Sequence, residues 1–222
     1  MKQEAHVPSF FTHLASMTFF SLVASLITLG ILSFIFLRTS PDVVSRFGFF
    51  LFFAILSFAL IIPASMHVRS YHAFPCMTGM MIGMTIGMIA GVLSGFYVGA
   101  TNGMFYGSVT GILIGIGFGV WNGNCCGVMG IMEGIMAGFM GGLMGGMTAL
   151  MLLNDHLMAM SILVFCISLA IIGGLHYLIL HEGPRLERRT HKGTWHIILL
   201  SILLTLLTFL MIVFGPRGGV FA

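Results

Sequence analysis

If the segment from 126 to 151 is helical, Cys126, Met129, Glu133, Met136, Met140, Met144, Met147 and Met151 share one side of it. At about 100° per residue they fall within a sector of roughly 80°, with Met132 at its edge. A second group, Met77, Met81, Met84 and Met88, spans about 60° of another helix, with Cys76 and Met80 beside it. Thirteen of the 19 methionines lie between Met77 and Met151. Thioether and thiolate sulfurs are soft ligands that select Cu(I) over harder cations. Sulfurs at i and i+4 stand about 6 Å apart along a helix, so a monovalent ion moving along such a row meets weak sites in series and no deep trap, as conduction requires. The expected metal ligands are Cys76, Met77, Met80, Met84, Met88, Cys125, Cys126, Met129, Glu133, Met136, Met140 and Met144, and the expected ion is copper as Cu(I), or the related Ag(I).

Three members of this set are not explained by apolar packing. Adjacent cysteines such as Cys125 and Cys126 are poorly arranged for an ordinary disulfide, which points to a thiol role at one mouth of the path. A carboxyl group inside a membrane segment is costly enough that function is its default reading, and Glu133 could neutralise a bound cation. The competing architectural reading has methionine filling core gaps with no metal present. It treats Glu133 as a protonated carboxyl hydrogen-bonded to a neighbouring helix.

The elements that hold these residues follow from composition. Of the 222 residues 58% are apolar and 7% charged, so a soluble domain of this size could not present a polar surface. With roughly 20 residues per spanning helix, the apolar stretches 10–37, 47–66, 77–100, 104–121, 126–153, 159–180 and 195–214 predict an all-α polytopic bundle of about seven transmembrane helices. The chain reads as one transmembrane domain, 1–222, with a Gly- and Met-rich core at 76–153. Alternate loops divide Lys and Arg unequally. Lys2, Arg69, Arg185, Arg188, Arg189 and Lys192 fall on one side, Arg38, Arg46 and Arg217 on the other, which predicts a cytoplasmic N-terminus. The weakest span is 104–121.

Glycine supplies the strongest periodicity. Gly79, Gly83, Gly87, Gly91, Gly95, Gly99, Gly103, Gly107, Gly111, Gly115, Gly119, Gly123 and Gly127 are spaced by four, and after a step of three the series resumes at Gly130, Gly134, Gly138, Gly142 and Gly146. A helix so loaded is disfavoured in water but holds in lipid, where the backbone has no other hydrogen-bond partner. Small-xxx-small stripes let helix backbones touch, so three spans are expected to form a glycine-lined core. On the fifth span the zipper glycines flank the thioether sector, leaving the two sulfur-rich helices available to face each other.

Several short segments carry a resemblance. The pair Met80-xxx-Met84 and the Gly-xxx-Gly runs resemble, at the level of motifs, elements of the eukaryotic-type high-affinity copper transporters, in which an MxxxM pair lines a pore. Those proteins have three spans and a Met-rich outer domain, and this chain departs from both. The stretch Cys76 to Leu153, with CMTGMMIGMTIGMIAG, NGNCCGVMGIMEGIMAGFMGG and LLNDH, is similar over about a third of the chain to poorly characterised Gly- and Met-rich bacterial membrane proteins associated with copper handling. That resemblance implies a multi-pass protein of the bacterial plasma membrane that handles copper.

Other chemistries lack their motifs. There is no Walker A sequence, HExxH, GxSxG, CxxC or P-type phosphorylation motif, so an enzyme or ATP-driven pump is not expected. The net charge of +3, with no basic run interleaved with aromatics, argues against a nucleic acid partner. Of the nine histidines, only His176 and His196 could bind a haem from facing helices. The expected partners are the lipid bilayer and a metal ion, with a homo-oligomer or a membrane complex as a further possibility. The alternative function is a glycine-zipper scaffold or assembly subunit without transport activity.

Overall fold

A computed structural model describes residues 19–31, 41–69, 76–153, 155–182 and 194–214. They form seven α-helices, α1 (Phe19–Ile31), α2 (Pro41–Arg69), α3 (Cys76–Asn102), α4 (Met104–Gly123), α5 (Val128–Met151), α6 (Leu157–Glu182) and α7 (Thr194–Phe214), with a 3-10 turn at Asn124–Cys126 before α5. Five apolar stretches are long enough to cross a membrane: Gly48–Met66, Cys76–Asn102, Met104–Gly123, Val128–Met151 and Leu157–Ile179. The apolar stretches described in α1 and α7, Phe19–Ile31 and Ile198–Ile212, are shorter. The expected first span, 10–37, is described only over 19–31. Segment 104–121, the weakest span by sequence, is one continuous helix of 20 residues, about 30 Å long and close to the hydrocarbon thickness. The side chains of all nine Lys and Arg lie outside the described residues, and with them the basis for orientation.

Helices α3, α4 and α5 form the tightest part of the bundle, and their glycines make it so. A methyl group placed on Gly115 of α4 would lie 2.9 Å from Cα of Gly138 on α5 and 2.9 Å from Cα of Gly91 on α3. On Gly111 it would lie 2.8 Å from Cα of both Gly142 and Gly95. Backbone therefore meets backbone on two sides of α4. The pairing of Gly123 with Gly130, Gly119 with Gly134, Gly115 with Gly138 and Gly111 with Gly142 makes α4 and α5 antiparallel. Gly87 against Gly134 and Gly95 against Gly142 and Gly146 make α3 and α5 parallel. The four-residue series passes through both connections because they too need glycine. Gly103 joins α3 to α4 at φ 101°, and Gly127 precedes α5 at φ 68°, backbone conformations that side chains with a Cβ rarely adopt.

A conventional side-chain core surrounds this unit. Phe58, Ile61 and Ile62 of α2 pack with Ile82, Leu93 and Phe96 of α3, and Ile179 of α6 joins them. Leu29 of α1, Leu51 and Ile55 of α2, and Phe209 and Ile212 of α7 form a second cluster. Polar groups inside are mostly satisfied locally. The hydroxyls of Ser94, Thr101, Thr205 and Thr208 donate to carbonyls of their own helices. Tyr97 links three helices, since its hydroxyl bonds with Ser57 of α2 and reaches the Ser161 carbonyl of α6.

Asn102, only 1% exposed, reaches from the α3–α4 turn to α7. Its side-chain amide donates to the carbonyl of Met211, one of the last four carbonyls of α7, which have no intrahelical partner. Asn102→Leu keeps the volume and removes this cap. The expected result is a loss of about 1 to 3 kcal/mol, seen as a lower melting temperature in detergent.

Candidate metal site

Packing of α3 and α4 against α5 decides where the sulfur goes. The buried residues of α5 are Gly130, Gly134, Ala137, Gly138, Gly141, Gly142, Gly145, Gly146 and Ala149. Every methionine of the stripe is on the other side: Met129 is 71% exposed, Met136 73% and Met140 56%, and Met132, Met144, Met147 and Met151 are exposed as well. The expectation that two sulfur-rich helices face each other is therefore corrected. Between α3 and α5 the glycines of α5 meet the backbone of α3, at Gly91 and Gly95 and at Met88 and Val92, which brings the helices close and leaves the thioethers of α5 on the outer surface. On α3, Cys76, Met77, Met81 and Met84 are exposed, while Met80 and Met88 are half-buried.

The two groups nevertheless share one end of the core. Since α3 and α5 run parallel, with Gly87 against Gly134, the first turn of α5 lies level with residues 81–84 of α3 and the 3-10 turn before it lies level with the start of α3. That end carries Cys76, Met77, Met80, Met81 and Met84 from α3, and Cys126, Met129, Met132, Glu133 and Met136 from α5. Cys126 is half-buried, and its Cβ lies 3.1 Å from the position a methyl group on Gly130 would take. The side chain of Cys125 is outside the described residues. Glu133 is exposed in the second turn of α5, nearer the helix end than its place in the expected span 126–153 implied. On the helical projection Cys126 and Met144 lie on the edge of the sulfur sector next to Gly141, which packs against the backbone of Met88. From Met129 to Met151 the stripe runs about 33 Å along the surface.

Its donors are almost all thioethers. Among the described residues no three His, Cys, Asp or Glu side chains converge on a point where they could hold a metal ion. A harder divalent ion such as Zn²⁺, which takes Cys, His or carboxylate ligands in fours, has no such set there. Soft sulfur dominates the row, with Cys126 and Glu133 at its start. The groove between α4 and α7, lined by Ile114, Gly117, Phe118, Trp121, Leu200, Leu203, Leu204 and Leu207, holds neither sulfur nor charge. The candidate site is a helix face and not a cavity. Of the two histidines considered for haem, His176 is half-buried on α6 and the His196 side chain lies outside the described residues.

Two contributors escape the four-residue rule. Gly141 and Gly145 are off the series, yet they fit α5 against Met88 and Val92 of α3 and so turn the methionines outward. The doublets Gly141-Gly142 and Gly145-Gly146 were the visible signal. Gly141 and Gly145 pack on α3, whereas Gly142 and Gly146 meet both α3 and α4.

Fold and site together define a polytopic, all-α membrane protein with a glycine core and an outward sulfur face. No family model matches the chain, nor does any curated protein or solved structure.

Proposed function

We propose that the protein binds Cu(I) on the thioether face of α5 and the sulfur-rich end it shares with α3, and that it moves the ion along this face across the membrane. One observation carries the reading: seven methionines line the exposed side of α5, away from its glycine and alanine core. The core of α5 is glycine and alanine, so methionine is not its gap-filler. Open sides of the other helices are covered by branched aliphatics, Ile162, Leu163, Ile167 and Ile171 on α6 and Leu199, Leu203, Leu206 and Leu210 on α7. The exposed side of α6 carries Met158 and Cys166 as its sulfur residues, so the dense thioether row is a feature of α5. The chemical property that separates Met from Leu at equal volume is the soft sulfur.

The scaffold reading has less to draw on. Glycine stripes recruit partners when their grooves are open, and in this chain the grooves of α3, α4 and α5 are filled by one another.

The test is copper retention by the purified protein under reducing conditions, followed by competition with a Cu(I) chelator. Retention that survives desalting and is displaced by Ag(I) is expected. Protein that emerges copper-free overturns the proposal. Glu133→Gln keeps shape and removes charge near the first sulfurs, so Cu(I) affinity is expected to fall about tenfold. Titration curves that superimpose on the parent would assign Glu133 to another role.

A further inference from the structure

We propose that the groove between α4 and α7 binds one acyl chain of a membrane phospholipid. The groove lies at hydrocarbon depth, because its walls belong to the span Met104–Gly123 and to the apolar stretch Ile198–Ile212. Helix α7 is tied to the α3–α4 turn by Asn102 at Met211, packs on α2 and α3, and stands off α4. The gap has a volume of about 310 Å³ and a lining of aliphatic and aromatic side chains.

Glycine shows that α4 is built for this gap. Ile114, Gly117, Phe118 and Trp121 form one i, i+3, i+4, i+7 face of the helix. Gly117 is off the four-residue series, and a methyl group there meets nothing within 4 Å, whereas Gly111, Gly115 and Gly119 are pressed against backbone. Glycine is disfavoured inside a helix, and no helix contact offsets that at Gly117. What it supplies is depth in the groove wall.

Dimensions and backbone chemistry select the occupant. Residues 114–121 and 200–207 each run about 10 Å along their helices, so a volume of about 310 Å³ leaves a slot of roughly 30 Å² in section. A helix about 10 Å across fills about 80 Å², so neither a second copy nor a partner helix enters. An extended polypeptide is excluded because its N–H and C=O groups would find no partners at this depth. An acyl chain is slender, carries no polar group, and is the material that surrounds the spans. Trp121 stands two residues before the end of α4, and tryptophan favours the membrane interface. The lipid head therefore lies at that end, and the chain runs from Trp121 past Gly117 to Ile114.

The experiment follows Trp121 fluorescence in the full-length Trp195→Phe protein, where it is the sole tryptophan. The protein is delipidated in detergent and titrated with phospholipid brominated along one chain. Quenching is expected to saturate at one lipid per protein and to be reversed by excess unbrominated phospholipid. Gly117→Leu fills the groove and is expected to melt like its parent, with quenching at least fivefold weaker. Quenching that rises without saturation, or that Gly117→Leu leaves unchanged, would overturn the proposal. Native mass spectrometry of the parent is expected to show one phospholipid adduct. A dimer without lipid that Gly117→Leu dissociates would assign the groove to a second copy and overturn the acyl chain.

Discussion

Gly115→Ala is expected to lower the melting temperature of the protein by about 5 to 10 °C, while Gly117→Ala, two residues along the same helix, leaves it unchanged or slightly raised. A methyl group on Gly115 meets Gly138 and Gly91 backbone at 2.9 Å on both sides, whereas on Gly117 it meets nothing within 4 Å. Backbone cannot rotate away as a side-chain tip can, so α4 has to shift against two helices at once. Overpacking of this kind costs about 1 to 3 kcal/mol, and for a chain of this size each kcal/mol is worth roughly 2 to 4 °C. Gly111→Ala together with Gly115→Ala should prevent assembly of the three-helix unit. The readout is thermal unfolding in detergent. Gly115→Ala and Gly117→Ala melting together would show that the glycine contacts do not hold α3, α4 and α5.

That core was legible in the sequence because its cause is local and repetitive. A residue with no side chain every fourth position permits close approach along three successive helices, and the pairs Gly115–Gly138 and Gly111–Gly142 realise it. The direction of the methionines was only half legible. Helical projection separated the sulfur sector from the glycine sector on α5, but which sector meets a neighbour depends on how three helices share their faces. Gly91 lies against α5 at Gly138 and Gly142 and also against Gly115 of α4. With both flanks of α3 occupied by backbone, no room is left for thioethers between α3 and α5. The 3-10 turn at Asn124–Cys126 and Gly127 delay the start of α5 to Val128, so the Glu133 carboxyl group sits in the second turn. The Asn102 cap on Met211 joins residues 109 positions apart and leaves no mark on local pattern.

Replacement of Met129, Met136, Met140 and Met144 by Leu together is expected to abolish Cu(I) binding by α5 while the protein stays folded. All four side chains are exposed, and Met-to-Leu changes conserve volume at a cost below about 1.5 kcal/mol even inside a core. Stability should therefore move little. Affinity should fall by 100-fold or more, on the order of 3 kcal/mol, because four of the soft donors disappear and leucine offers none. In cells, copper accumulation or tolerance should shift to that of a strain lacking the protein. A variant that binds Cu(I) like the parent would return these methionines to the role of lipid-facing packing.

The claim beneath the Cu(I) reading of α5 is that sulfur of this helix face ligates the ion. X-ray absorption at the copper edge of the Cu(I)-loaded protein reports the atoms bound to the metal. The account predicts a first shell of sulfur in the parent and loss of that signal in the four-methionine variant. A shell of nitrogen and oxygen in the parent, or an unchanged sulfur shell in the variant, would contradict it.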